Sequence, residues 1–149
     1  MSRFMKVLAL ALVVFGAIQL VPYGRDHDNP PTVQEPAWDS DRTRDLALGA
    51  CFDCHSNVTS WPWYTNVAPI SWLTQRDVED GRAVLNFSEW DRPQATNPRE
   101  VVDSIRDGEM PPFYYRWTHE SARLSDEEQA QLEAGLLETW SSSPPGVTP

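Results

Sequence analysis

Lysine, cysteine and methionine are scarce in this 149-residue chain, which contains one Lys, two Cys and three Met. Acidic residues outnumber basic ones by 22 to 12, and the net charge is −10. A chain with so few cations lacks the basic face that a general nucleic-acid binder needs, so we expect no nucleic-acid partner. Two cysteines are also too few for a disulfide-stapled scaffold, which makes them candidates for chemistry.

Aromatic residues, by contrast, are plentiful and indicate a folded domain. All seven Trp lie after residue 37, where they supply material for a hydrophobic core. The length suits one domain. We predict a signal-anchor segment over residues 1–23, a polar, Pro-bearing linker over 24–37, the folded domain over 38–140 and a flexible tail over 141–149.

The N-terminal segment is apolar over residues 7–21, broken only by Gln19, and it follows two cations, Arg3 and Lys6. A helix over that apolar run would rise roughly 22 Å, short of a ~30 Å hydrocarbon core, whereas residues 4–23 would rise about 30 Å. No small-residue cleavage pattern follows the run, so we favour an uncleaved transmembrane anchor over a removed signal peptide. Both interpretations export the domain, and we predict a bacterial inner-membrane protein with its domain in the periplasm.

Helix-start signals occur at four places after the linker. Ser40, Asn97 and Ser125 are typical N-caps, and Pro69 suits the first turn of a helix. No stretch alternates with the period of a β-strand, so we predict a mainly α domain. Loops rich in Trp and Pro separate these helices, and their length indicates that something is bound within the domain: 56–68, 87–96 and 109–124.

Both cysteines lie in one short motif, Cys51-Phe52-Asp53-Cys54-His55. This spacing puts the two thiols about one helical turn apart, so they can form thioethers with the two vinyl groups of a haem while His55 binds the iron. A thioredoxin-like dithiol would need a strand–helix context that the sequence lacks. A zinc site from Cys51, Cys54 and His119 would need a fourth ligand. We therefore predict one covalent haem c.

The sixth iron ligand can be sought among the few remaining sulfur and imidazole groups. Met110 is the one Met outside the N-terminal segment, and it precedes two prolines that stiffen the backbone. We predict Met110 as the distal ligand, with His119 as the alternative and an open or water-filled position as a third possibility.

The chain resembles the small bacterial haem-binding domain proteins over about residues 38–140. The shared stretches occur in the same order and extend beyond the attachment motif: Cys51–Asn57, Trp61–Tyr64, Ala68–Leu73, Asn86–Trp90, Gly108–Pro112 and His119–Ser125. The resemblance implies a compact, cytochrome c-like helical domain wrapped around one covalent haem, with iron held by His55. It supplies no reaction, since the family is defined by its haem site.

Aromatic and basic residues are candidates to surround that haem. We expect the ring to form part of the core, and five aromatic side chains to wall it: Trp61, Trp63, Tyr64, Trp72 and Trp90. The haem propionates call for cations, and the candidates are four arginines: Arg76, Arg82, Arg106 and Arg116.

The leading functional hypothesis is a monohaem electron-transfer cytochrome, because iron held between His55 and Met110 is coordinatively saturated. The negative charge predicts a redox partner with a basic or neutral surface. A peroxidase-like enzyme is the alternative, with open iron, His119 as acid and base, and Arg116 or Arg123 polarising peroxide. A third hypothesis is a non-catalytic haem sensor or partner module that signals through ligand exchange at Met110.

Overall fold

The computed structural model describes residues 2–147, and within that range the chain is mainly helical. Seven α-helices follow one another there: α1 (Arg3–Ile18), α2 (Asp41–Ala50), α3 (Phe52–His55), α4 (Ile70–Val84), α5 (Pro98–Arg106), α6 (Phe113–Thr118) and α7 (Asp126–Ser142). Two 3₁₀ turns, Trp63–Asn66 and Glu120–Ala122, lie within the predicted loops. The described residues form no strand, only an isolated bridge between Gln34 and Glu89. The prediction of a mainly α chain is confirmed.

The local helix signals act as expected. The Ser40 side chain accepts a hydrogen bond from the Thr43 amide at the start of α2. Asn97 caps α5 in the same way, with Pro98 as the first helical residue. Ser125 forms a full capping box with Glu128 at the start of α7. These caps satisfy amides that have no partner inside the helix, which is why a short sequence pattern fixes them.

The chain divides into two compact units. The first contains the residues up to Asp28 together with Ser60–Asp77, and the second contains Asn29–Thr59 together with the residues from Val78 onward. Helix α4 contributes its first half to one unit and its second half to the other.

In the first unit, the side chain of Gln19 holds the backbone of Ala68 at two points. Its Nε2 donates to the Ala68 carbonyl at 2.9 Å, and its Oε1 accepts from the Ala68 amide at 3.0 Å. Nearby, the His27 ring stacks on Trp61 with 4.5 Å between centroids. Gly24 has a φ of +81°, and a Cβ there would collide with the Ser71 carbonyl. The Gln19 side chain, near the end of the apolar segment, is therefore bonded to the backbone of this unit.

The N-terminal helix is shorter than the transmembrane anchor predicted for residues 1–23. Helix α1 ends at Ile18, and its 16 residues rise about 24 Å. Gln19 directs its side chain to Ala68, and Pro22 cannot continue a helix because it has no amide hydrogen. Between residues 2 and 147, no helix combines the length and the apolar character needed to cross a membrane. The transmembrane helix in that prediction is therefore not supported.

The core of the second unit lies where α2, α5 and α7 meet, and α5 and α2 both pack on α7. Four aromatic rings pack one on the next in this core. The distances between ring centroids are 5.5 Å from Phe52 to Phe87, 5.9 Å from Phe87 to Trp90, and 4.8 Å from Trp90 to Trp140, which packs edge-on. Leu46, Leu132 and Leu136 fill the space beside these rings and are 5% exposed or less. Phe52 belongs to the Cys51–His55 motif, so the motif is anchored in this core.

The second half of the predicted linker and the start of the predicted tail are bonded within the second unit. The amides of Val33 and Gln34 both donate to the Ser88 carbonyl, and the Gln34 carbonyl accepts from Trp90. At the other end, the Ser143 carbonyl accepts from the indole of Trp90 at 2.7 Å. Residues 148 and 149 of the predicted tail lie outside the described range. Contacts between residues more than 50 positions apart order segments whose composition is typical of flexible chain.

Candidate functional site

The two cysteines flank the start of α3 at the end of α2. The Cys51 amide closes the last turn of α2 by donating to Ala47, and the Cys51 carbonyl accepts from the amides of Cys54 and His55. Neither cysteine forms a disulfide, and both are half-buried. Burial raises the pKa of Cys51 to about 12, and the neighbouring Cys54 adds to this effect. One turn of helix therefore presents the protonated Cys51 thiol and the Cys54 thiol, followed at once by His55.

His55 is held by the backbone at one ring nitrogen. Its Nδ1 lies 3.1 Å from the Gly81 carbonyl and 3.1 Å from the Leu85 carbonyl, at the end of α4. A carbonyl only accepts, so Nδ1 carries the hydrogen and Nε2 keeps its lone pair. Burial lowers the pKa of His55, while the bonds to Leu85 and Gly81 oppose that shift. A neutral imidazole fixed through Nδ1 is the usual form of a metal-binding histidine.

Gly81 brings α4 against the motif. A Cβ at this position would collide with the Cys54 carbonyl and lie 3.1 Å from the Cys54 Cβ. Because Gly81 lacks a side chain, the helix backbone approaches closely enough for its carbonyl to reach His55. The sequence shows this glycine inside a helix pattern, but it does not show what the glycine faces.

A buried polar network fixes the loop after the motif. Asn86 donates to the Asn57 Oδ1 at 2.8 Å, and the Asn57 amide donates to the Ser88 hydroxyl. The hydroxyl of Thr59 donates to the Asp53 carbonyl at 2.7 Å. Arg82, a sequence candidate for a haem propionate, donates to the Ser56 carbonyl at 2.8 Å and to Thr59. These contacts give Arg82 a structural role in the loop.

Asp53, between the two cysteines, is the centre of a second cluster. The Tyr115 hydroxyl donates to Asp53 Oδ2 at 2.7 Å. The His119 ring stacks on Tyr115 with 3.9 Å between centroids, and its Nε2 lies 4.0 Å from the same carboxylate oxygen. The sequence identifies His119 as a candidate site residue but does not indicate the contact between Asp53 and Tyr115. Nothing in the sequence links positions that lie 62 residues apart.

Met110 lines a half-open cavity of about 490 Å³ in the second unit. The Gly108 turn, with a φ of +73°, ends α5 and leads to it, and the Met110 amide donates to the Ser104 carbonyl. The Met110 side chain is 40% exposed. The residues that line the cavity all lie between positions 105 and 129 and include Arg116 and Arg123. No residue of the Cys51–His55 motif lines it.

The described side chains suit haem better than a protein-only metal site. Between residues 2 and 147, no three or more His, Cys, Asp or Glu side chains are grouped to hold a metal ion, so the zinc site is not preformed. A haem brings four nitrogen ligands of its own and needs one or two more from the protein. His55 Nε2, beside two cysteines that form no disulfide, fits that requirement.

Comparison with known proteins supports the same cofactor. No curated protein and no solved structure matches the chain. The sequence model of the haem-binding domain family matches residues 13–138, which include the Cys51–His55 motif, Met110 and most of both units. The chain therefore belongs to the haem-binding domain family.

Proposed function

We propose that this protein is a monohaem electron-transfer cytochrome, with haem c attached through Cys51 and Cys54 and iron bound by His55 and Met110. The observation that carries the proposal is the imidazole of His55, which the Gly81 and Leu85 carbonyls hold and which directly follows two cysteines one helical turn apart. Bound haem would supply a one-electron couple at its iron.

The residues of this chain act on that couple by holding its ligands. The Gly81 and Leu85 carbonyls keep the His55 ring in one tautomer and one orientation, which raises the basicity of Nε2. The aromatic core around Phe52 covers the side of the motif on which Cys51 packs. Both effects tune a reduction potential without any bond to a substrate.

The contacts of His119 favour Met110 as the sixth ligand. His119 Nδ1 lies 3.1 Å from the Tyr115 carbonyl, and its Nε2 faces Asp53. Binding of iron by His119 would break one of these contacts, whereas the described hydrogen bond of Met110 is made by its backbone amide and does not involve the thioether. The same contacts disfavour His119 as the acid and base of a peroxidase, and no described contact favours the enzyme alternative.

We also propose that the haem domain lies outside the cytoplasm, on the periplasmic face of a bacterial inner membrane. The support is chemical, since covalent c-type haem is assembled on that side. The apolar segment after Arg3 and Lys6 is consistent with export. Fractionation with the chain length measured by mass spectrometry tests this proposal, and haem-loaded protein found in the cytoplasm would contradict it.

Acid–acetone extraction of the purified holoprotein tests the haem assignment. Haem should stay with the wild-type protein, and Cys51→Ala or Cys54→Ala should leave at most one thioether, visible in the pyridine haemochrome spectrum. His55→Ala should abolish the normal axial ligation, whereas the control His27→Ala should leave the spectrum unchanged, since His27 Nε2 contacts the Thr65 carbonyl. Complete release of haem from the wild type would refute covalent attachment through Cys51 and Cys54.

A further inference from the structure

The charged residues that line the Met110 cavity are all basic. They are Arg106, Arg116 and Arg123, and no Asp or Glu lies among the residues of the lining. This local excess of positive charge contrasts with the net charge of −10 for the whole chain.

Two of these arginines keep an uncompensated charge. Arg106 is neutralised by Glu133, at 2.7 Å. Arg123 donates to the carbonyls of Arg116 and Trp117, which carry no net charge. Among the described residues, the Arg116 guanidinium has no hydrogen-bond or ion-pair partner. The cavity therefore has about two positive charges free to act on an approaching molecule.

Exposed aromatic side chains accompany these charges on α6. Phe113 is 70% exposed and Trp117 is 81% exposed. Because these residues are four apart on a helix, they lie on the same face. Arg, Trp and Phe are the residue types enriched in protein interfaces. We define the α6 face as Phe113, Arg116, Trp117 and Arg123, around the opening that Met110 lines.

We propose that the α6 face is the docking surface through which electrons pass, and that its partner is an acidic redox protein. This inference rests on the proposed electron-transfer function, because Met110 places the α6 face beside the haem only if it binds the iron. An acidic partner is repelled by most of this chain and attracted at one face, which orients the encounter. Net charge alone predicts a basic or neutral partner, whereas the α6 face attracts an acidic one.

Oxidation of the ferrous holoprotein by small ions tests the proposal. The probes are ferricyanide, an anion, and tris(phenanthroline)cobalt(III), a cation, mixed with the protein by stopped flow. Arg116→Gln should slow the ferricyanide reaction about fivefold near 10 mM ionic strength, and the difference should shrink near 300 mM because salt screens the charge. Arg116→Lys should restore most of the rate. Arg99→Gln, an equal charge change on an exposed part of α5, should leave the rate nearly unchanged.

A competition experiment tests the nature of the partner. Poly-L-glutamate should slow ferricyanide oxidation of the wild type at low salt and should have little effect on Arg116→Gln. The reduction potential of each variant, measured in parallel, separates docking from a change in driving force.

Three results would overturn the inference. Equal slowing in Arg99→Gln and Arg116→Gln would mean that net charge alone sets the rate. Faster oxidation of the wild type by the cation, unaffected by Arg116→Gln, would place electron exchange elsewhere on the surface. Insensitivity to poly-L-glutamate would reject an acidic partner. A haem that neither probe oxidises would instead refute the proposed electron-transfer function, and the docking surface with it.

Discussion

The Tyr115 hydroxyl donates to the Asp53 carboxylate at 2.7 Å, and this contact links the Cys51–His55 motif to the segment that follows Met110. Burial raises the pKa of Tyr115, and the bond to Asp53 raises it further, so the phenol stays protonated and remains a donor. Met110, Pro111 and Pro112 lead directly into α6, which carries Tyr115. The proposed distal ligand is thus tied through one helix to the residue between the two cysteines.

Loss of the Tyr115 hydroxyl should destabilise the second unit. We expect Tyr115→Phe to lower the free energy of unfolding by about 1–2 kcal/mol, because a hydrogen bond to a charged, half-buried acceptor is lost. Urea unfolding of the holoprotein measures this change. Asp53→Asn serves as the second arm of a double-mutant cycle, and additive effects of the two changes would show that the bond contributes nothing.

A side chain at position 81 should separate α4 from the motif. We expect Gly81→Ala to destabilise the protein by about 1–3 kcal/mol, because the new Cβ collides with the Cys54 carbonyl. The matched control is Gly16→Ala, since a Cβ there meets nothing within 4 Å, and it should be neutral or stabilising. Thermal unfolding of both variants tests the pair, and equal stability would mean that α4 does not pack on Cys54 as described.

The sequence predicts those parts of the structure that depend on neighbours in the chain. Ser40, Asn97 and Ser125 are read correctly because a cap bonds amides two or three residues away. The contact of Gly81 with Cys54 and the bond from Tyr115 to Asp53 are not readable, because they join residues that only the folded chain brings together. The residue types of the candidate site can be read from the sequence, while the contacts that support them cannot.

Substitution of the proposed distal ligand should change the haem spectrum. We expect Met110→Ala to shift the oxidised and reduced spectra towards high spin and to lower the potential, because a thioether favours ferrous iron. It should also allow carbon monoxide to bind. Absorption spectroscopy and redox titration provide the measurement.

His119→Ala is the matched comparison for the distal ligand. It should leave the spectrum of the wild type in place and weaken only the contacts with Tyr115 and Asp53. A bis-histidine spectrum in the wild type that disappears in His119→Ala would transfer the ligand role from Met110 to His119.

The unfolding free energy should fall in acid because of Glu35. A hydrogen bond from Arg44, helped by one from Trp38, lowers the pKa of Glu35 from its ordinary value of 4.5. The stabilisation is therefore complete above about pH 4.5 and disappears as the pH falls through the lower folded-state pKa. Glu35→Gln should reduce the loss of stability between neutral pH and pH 3, measured by urea unfolding. The control Glu138→Gln removes an exposed carboxylate of α7 and should leave the slope unchanged.

The two hydrogen bonds between the Gln19 side chain and the Ala68 backbone limit where the N-terminal segment can be cleaved without disturbing the fold. A peptidase that cuts anywhere between Gln19 and Gly24 removes the amide side chain that satisfies both backbone groups of Ala68. Ala68 is fully buried. Without Gln19, its amide and carbonyl would each lose a hydrogen bond, at a cost of about 1–3 kcal/mol for each group that finds no new partner. Maturation at such a site would therefore rearrange the loop before α4, whereas a cut N-terminal to Gln19 would leave this hold intact.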